Sequence, residues 1–203
     1  VNSVTQTDPS NFTKTLTQAA IADLDKNRRP DSASMVAALL TAEKTAKQER
    51  LDLSFESLLG EWRLCFATSG KPAKTSSGIV LGKGYYFPQF TPASITFAQN
   101  ANELTTGTVT NQLQLGGLQL KFIGPCRYPG KKNLLVFDFT ELHIYLWGRK
   151  LYQTKIRSGK KNGGDFATTP IGKLPFFAFF WATPDGIAAR GKGGGLALWI
   201  KKN

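Results

Sequence analysis

The chain has one histidine and two cysteines among 203 residues. With His143 alone, a histidine-based triad, the usual zinc site and any multi-histidine iron site are all but excluded. Cys65 and Cys126 have no metal-type spacing, a disulfide between them is not indicated, and a reducing compartment is the default. No apolar run approaches the roughly 18–20 residues of a spanning helix. The longest, Leu174 to Ala182, is broken by Pro175. No signal-peptide pattern opens the chain at Val1. Acidic residues are also scarce, 14 against 26 Lys and Arg, for a net charge of +12.

The imbalance is not uniform. Residues 1–56 hold seven basic and eight acidic residues, whereas residues 57–203 hold nineteen and six. The second region is expected to attract anionic head groups, an acidic protein face or nucleic acid. No zinc finger, RNA-recognition signature or helix-turn-helix pattern supports the last, so nucleic acid is not the expected partner. The basic glycine-rich stretch RSGKKNGGD (157–165) lacks the spacing of a phosphate loop. The hydrophobic fraction, 41%, is that of an ordinary globular protein.

Residues 1–10 are polar and read as a flexible N-terminal segment. Residues 11–57 read as a helical preface. Phe12, Leu16, Ala20 and Leu24 recur every four residues to about Lys26, and Pro30 ends that helix. Asp31 or Ser32 then caps a second helix with Met35, Val36, Leu39 and Leu40 on one side. Two such helices must lay their apolar stripes on something else.

From Leu58 the period changes to two. Trp62, Leu64 and Phe66 alternate with Arg63, Cys65 and Ala67. Further strands fall at 94–99, 103–114, 118–122, 134–139, 142–146, 151–156 and 196–200, with turns at Gly116-Gly117, Pro129-Gly130 and Gly148. With no clear helical crossovers between them, residues 58–203 are expected to form a closed or nearly closed antiparallel barrel, wide enough for one small ligand.

Gly60-Glu61-Trp62 is the G-x-W sequence that opens the first strand of lipocalins. There, an Arg from the end of the barrel commonly lies over that Trp in a cation–π contact, and Arg190 is the expected one here. LLGEWRLCFATS, together with the terminal ARGKGGGLALWIKK, resembles the plastid lipid-associated protein (fibrillin) family. Gly60, Trp62, Arg63, Leu64, Thr68 and Ser69 match one motif; Arg190, Gly191 and Gly194, followed by Leu196 and Leu198, match the other. Lys192 stands where an acidic residue is usual, and Cys65-Phe66-Ala67 where Leu-Tyr-Thr is commoner. The resemblance implies a mainly β, lipocalin-like barrel preceded by two or three helices. It also implies a lipid or isoprenoid binder at the thylakoid membrane of a plastid or cyanobacterium, or at a lipid globule, on the stromal or cytoplasmic side.

One leucine and several aromatic residues are expected to line a pocket: Trp62, Leu64 and Phe66 on the first strand, Tyr85 and Tyr86 at its mouth, and Phe137, Phe139, Tyr145 and Trp147 on later strands, with Arg190 at the end. Phe176 to Trp181 has two readings. It is a buried strand, or Phe179, Phe180 and Trp181 dip into a membrane. Arg149, Lys150, Lys155, Arg157, Lys160 and Lys161 form the densest basic stretch and are expected to meet an anionic membrane surface. His143 reads as structural, and Asp138 and Glu141 as charge balance.

The leading expectation is a non-catalytic carrier of a hydrophobic small molecule or lipid, with a carotenoid, quinone or acyl lipid as the bound group. One alternative is a bilin chromophore lyase-like barrel, using Arg127 or Arg149 with Asp138 or Glu141. Another is an assembly factor docking on a photosynthetic membrane complex.

Overall fold

A computed structural model describes residues 9–22, 27–69, 73–75, 78–80, 83–88, 90, 92–156 and 166–202. Among the described residues two α-helices, α1 (Pro9–Ile21) and α2 (Ser32–Gln48), precede thirteen strands. Asp31 caps α2, its Oδ1 accepting the N–H groups of Ala33 and Ser34 at 2.9 Å. A Schellman-type ending, with Leu51 N–H on the Ala46 carbonyl at 2.9 Å, closes it. The periodicity extends α1 to about Lys26; residues 23–26 lie outside the described segments, as do residues 1–8.

Eight strands close a ring. They are β1 (Gly60–Thr68), β5 (Ala93–Asn100), β6 (Glu103–Leu115), β7 (Leu118–Arg127), β8 (Leu134–Phe137), β11 (Phe176–Thr183), β12 (Gly186–Gly191) and β13 (Leu196–Lys201). The order is β7-β6-β5-β1-β13-β12-β11-β8, with β8 returning to β7. The protein is therefore a mainly β, lipocalin-like closed antiparallel barrel with two N-terminal helices. Three short strands lie off the ring: β2 (Ala73–Thr75) and β3 (Gly78–Val80) pair with each other, and β4 (Gly84–Tyr86) pairs with β1.

The ring splits at one end. β8 runs between β7 and β11, and β9 (Glu141–Leu146) continues along β7 after it. There β11 no longer pairs, and β10 (Arg149–Lys155) takes its place beside β9. The upper parts of β6 and β7 with β9 and β10 thus extend past the closed ring as a four-stranded wing.

Two apolar clusters result. Inside the ring lie Trp62, Ile95, Phe97, Val109, Cys126, Leu135, Phe137, Phe179, Ile187, Ala189 and Trp199. Outside it, Leu16, Ala19, Met35, Leu39 and Ala42 of the helices pack on Cys65, Phe66, Phe180, Trp181, Leu198 and Ile200. Two bulges decide which residues join which. One between Leu64 and Phe66 puts both Cys65 and Phe66 on the helix side. The other, between Phe179 and Trp181, leaves Phe179 inside and turns Phe180 and Trp181 outward under α2. The expectation that Phe179, Phe180 and Trp181 touch a membrane is therefore corrected: all three are buried.

Both cysteines are buried, on opposite sides of the barrel wall. Burial pushes the Cys65 thiol up to about 11 and the Cys126 thiol up to about 12. Neither thiol should react with an aromatic disulfide reagent at pH 8 until the chain unfolds. A fast native-state reaction, followed by absorbance, would show that the wall opens.

Candidate functional site

The lower end of the barrel is sealed. Gly60 enters β1 with φ of +115°, where an added Cβ would strike the Lys201 ammonium. Trp62 is 1% exposed, and its indole N–H donates to the Leu58 carbonyl at 2.7 Å. Lys201 Nζ lies 4.2 Å from the Trp62 ring centroid and donates to the Leu59 carbonyl at 3.0 Å. Beneath, Phe55 stacks on Tyr128 with centroids 5.7 Å apart. Asn133 ties down the segment before it, donating to the Leu51 carbonyl at 2.7 Å and accepting from Leu53 N–H at 3.0 Å.

The upper end is open. A cavity of about 310 Å3 is lined by Leu64, Phe87, Ala93, Ser94, Ile95, Asn111, Leu113, Phe122, Phe177 and Trp199. Phe177 stacks on Phe137 at 5.1 Å and meets Trp199 edge to face at 5.3 Å between centroids, so the inner wall is a run of contacting rings. Asn111 is the one amide among the described residues of the lining; the Ser94 hydroxyl is engaged with Glu61 at 3.2 Å.

The apolar surface does not stop at the cavity. Leu113 pairs with Leu120, and Phe122 with Leu142, so their neighbours at every second position share this face. Leu115, Leu118, Ile144 and Leu146 carry it along the wing. The opposite face is polar: the Glu141 carboxylate holds His143 at 2.9 Å, and Lys121 lies over Tyr145 at 5.2 Å.

Of the residues expected to line a pocket, Leu64 lines this one, Trp62 forms the floor, and Phe137 and Phe139 pack behind Phe177 and Phe122. Five others are corrected, since none of them lines the cavity. Phe66 and Tyr86 face the helices, edge to face at 5.0 Å, with the Tyr86 hydroxyl on the Pro30 carbonyl at 2.8 Å. Tyr145 is on the outer face of the wing, and Trp147 is at its tip, exposed. Tyr85 is exposed beside the mouth, 5.9 Å from Phe87.

Arg190 is not over Trp62; Lys201 is. Arg190 lies outside the barrel, where its guanidinium grips the Glu43 carboxylate of α2 through Nε at 2.8 Å and Nη2 at 2.5 Å. Arg149, Lys150 and Lys155 are exposed on β10. Arg157, Lys160 and Lys161 lie outside the described residues.

The residues a lyase-like site would need are dispersed. Arg127 donates to the carbonyls of Ala167 and Thr169, Arg149 is near the wing tip, and none of Arg127, Arg149, Asp138 or Glu141 lines the cavity. Among the described residues no cluster of His, Cys, Asp and Glu could hold a metal ion. A larger groove of about 760 Å3 runs outside the barrel between the end of α2 and β11. Five charged residues line it (Glu43, Lys47, Arg50, Asp52 and Lys132), so it suits an apolar ligand less well.

Phe87, in the aromatic cluster at the mouth, and Phe177, in the run read as a buried strand, were legible in the sequence; Ala93, Asn111, Leu113, Phe122 and Trp199 were not singled out as site residues. The alternation of Leu118, Leu120 and Phe122 was the available signal, but it does not say which face is concave. The fold and site define a lipocalin-like barrel, sealed by a tryptophan at one end and open to an apolar cavity at the other. In comparisons with protein-family models, curated proteins and solved structures, nothing matches the chain.

Proposed function

We propose that this protein is a non-catalytic binder of an apolar small molecule or lipid carrying one polar group, held at the open end of the barrel. The observation that carries the reading is the aromatic-walled cavity running without a break into the apolar face of the wing. Ligand cavities span roughly 300–1,000 Å3, so this one would take a compact head or ring. A longer tail would lie along Leu115, Leu118, Leu120 and Ile144. The Asn111 amide is available to one carbonyl or hydroxyl. Carotenoid, quinone and acyl lipid all have this shape, and the resemblance to plastid lipid-associated proteins favours the same class.

A short-tailed benzoquinone tests the reading, because a ring in the cavity would quench Trp199. Saturable quenching is expected in the unaltered chain. Ala93→Phe fills the cavity from β5 and should weaken binding at least tenfold, about 1.4 kcal/mol, with an unchanged circular dichroism spectrum. Absence of saturable quenching, or equal binding by the filled variant, would overturn the proposal.

A further inference from the structure

Two hairpin ends lie side by side at the far edge of the wing. One is the β6–β7 turn at Gly116 and Gly117; the other is the β9–β10 turn at Trp147 and Gly148. Trp147 N–H donates to the Gly117 carbonyl at 2.8 Å, and its ring crosses the neighbouring turn so closely that a Cβ on Gly117 would fall 2.7 Å from it.

The backbone of this second turn is unusual for its residues. Leu146 pairs with Arg149, so Trp147 and Gly148 are its two central residues, with φ of +51° and +77°. Positive φ at both positions is the type I′ arrangement, which favours Asn-Gly, Asp-Gly or Gly-Gly. A bulky L residue is disfavoured there. Burial does not compensate, because Trp147 is 81% exposed. Strain at a site that packing does not explain points to a role outside the folded chain.

The surroundings indicate what that role is. Leu151 and Tyr152 are 63% and 54% exposed on β10, and Leu115 and Leu146 are partly exposed on the adjoining hairpin ends. Arg149, Lys150 and Lys155 are exposed on the same strand. From Leu104 to Lys155 the only acids are Asp138 and Glu141, and Glu141 sits at the base of the wing, engaged with His143. Lysines on an edge strand also discourage strand addition, but that does not account for the tryptophan and leucines among them.

We propose that this tip is a docking wedge for an anionic lipid surface. Trp147 enters the head-group layer, Leu146, Leu151 and Tyr152 follow it, and Arg149 and Lys150 meet lipid phosphates. Docking does not depend on the cargo reading. If that reading also holds, the apolar face of the wing is the path by which cargo passes between the surface and the cavity.

The full chain is mixed with vesicles of phosphatidylcholine containing one quarter phosphatidylglycerol, or of phosphatidylcholine alone. Of the four tryptophans, Trp62, Trp181 and Trp199 are buried, so the exposed emission belongs to Trp147. Anionic vesicles should shift that emission to the blue and protect it from acrylamide; neutral vesicles should do so much less. Trp147→Asn restores a favoured Asn-Gly turn, so it should fold at least as well yet bind anionic vesicles at least tenfold more weakly. Arg149→Gln with Lys150→Gln should weaken binding and flatten its salt dependence. Ala93→Phe should bind vesicles normally, which separates failure of docking from failure of cargo binding. Unchanged emission, or full binding by Trp147→Asn, would overturn the wedge. So would a tip that ignores vesicles but captures an acidic protein.

Discussion

Trp62→Ala is expected to lower the unfolding free energy by about 4 kcal/mol, within the range for aromatic-to-alanine changes in a core. Three losses combine. The ring fills the barrel floor, the Leu58 carbonyl loses its indole donor, and the Lys201 ammonium loses the face it lies over. For a chain of this length the melting temperature should fall by roughly 10 °C. Trp62→Phe keeps most of the packing but not the hydrogen bond and should cost about 1–2 kcal/mol. Thermal denaturation of both variants checks the order. A drop of only a degree or two in the alanine variant would mean that the floor is sealed by Phe55 and Leu58 without the indole.

The second large effect is at the joint between helices and barrel. Glu43 sits on α2, nearly buried, and accepts hydrogen bonds from Arg190 of β12 and from Lys47 at 2.9 Å. Burial alone would raise its carboxyl, but the hydrogen bonds from Arg190 and Lys47, with their charges, outweigh it and hold the group below the usual carboxylate range.

Among the described residues, Glu43→Ala leaves the guanidinium with the Gly194 carbonyl alone. A fully buried broken pair costs about 3–5 kcal/mol. Because the Arg190 side chain is 26% exposed, about 2–3 kcal/mol is expected here. Replacing both partners should cost less than the two single changes added together.

The pH dependence has a definite sign. A carboxyl depressed in the folded state stabilises the fold above its unfolded pKa, near 4.5, and stops doing so as pH falls through its lowered value. Stability of the unaltered chain should therefore fall more steeply below pH 4.5 than that of Glu43→Gln. Parallel curves from chemical denaturation would show that the pair does not hold the helices down.

The division between helices and strands was legible because burial on one side imposes its period on the chain. Phe12, Leu16 and Ala20 repeat every four residues, whereas Leu118, Leu120 and Phe122 repeat every two. Gly60 and Trp62 were legible as the barrel entry and plug, since an unusual backbone angle and a large ring leave few substitutes. The cation over Trp62 was not. Arg190 was expected there, but the antiparallel register of β1 and β13 brings Trp62 opposite Lys201. Phe66 and Trp181 were equally opaque, since one extra residue in a strand reverses the face of everything beyond it.

By itself, the sequence determined a helical preface, an antiparallel barrel after Leu58 and a cationic second half, because periodicity and charge are local properties of the chain. Only the tertiary structure decided which aromatics face the cavity, which residue covers Trp62, and that Trp147 projects from a strained turn. Those outcomes depend on bulges, register and ring closure, which couple residues more than a hundred positions apart and leave no mark on the pattern around any one of them.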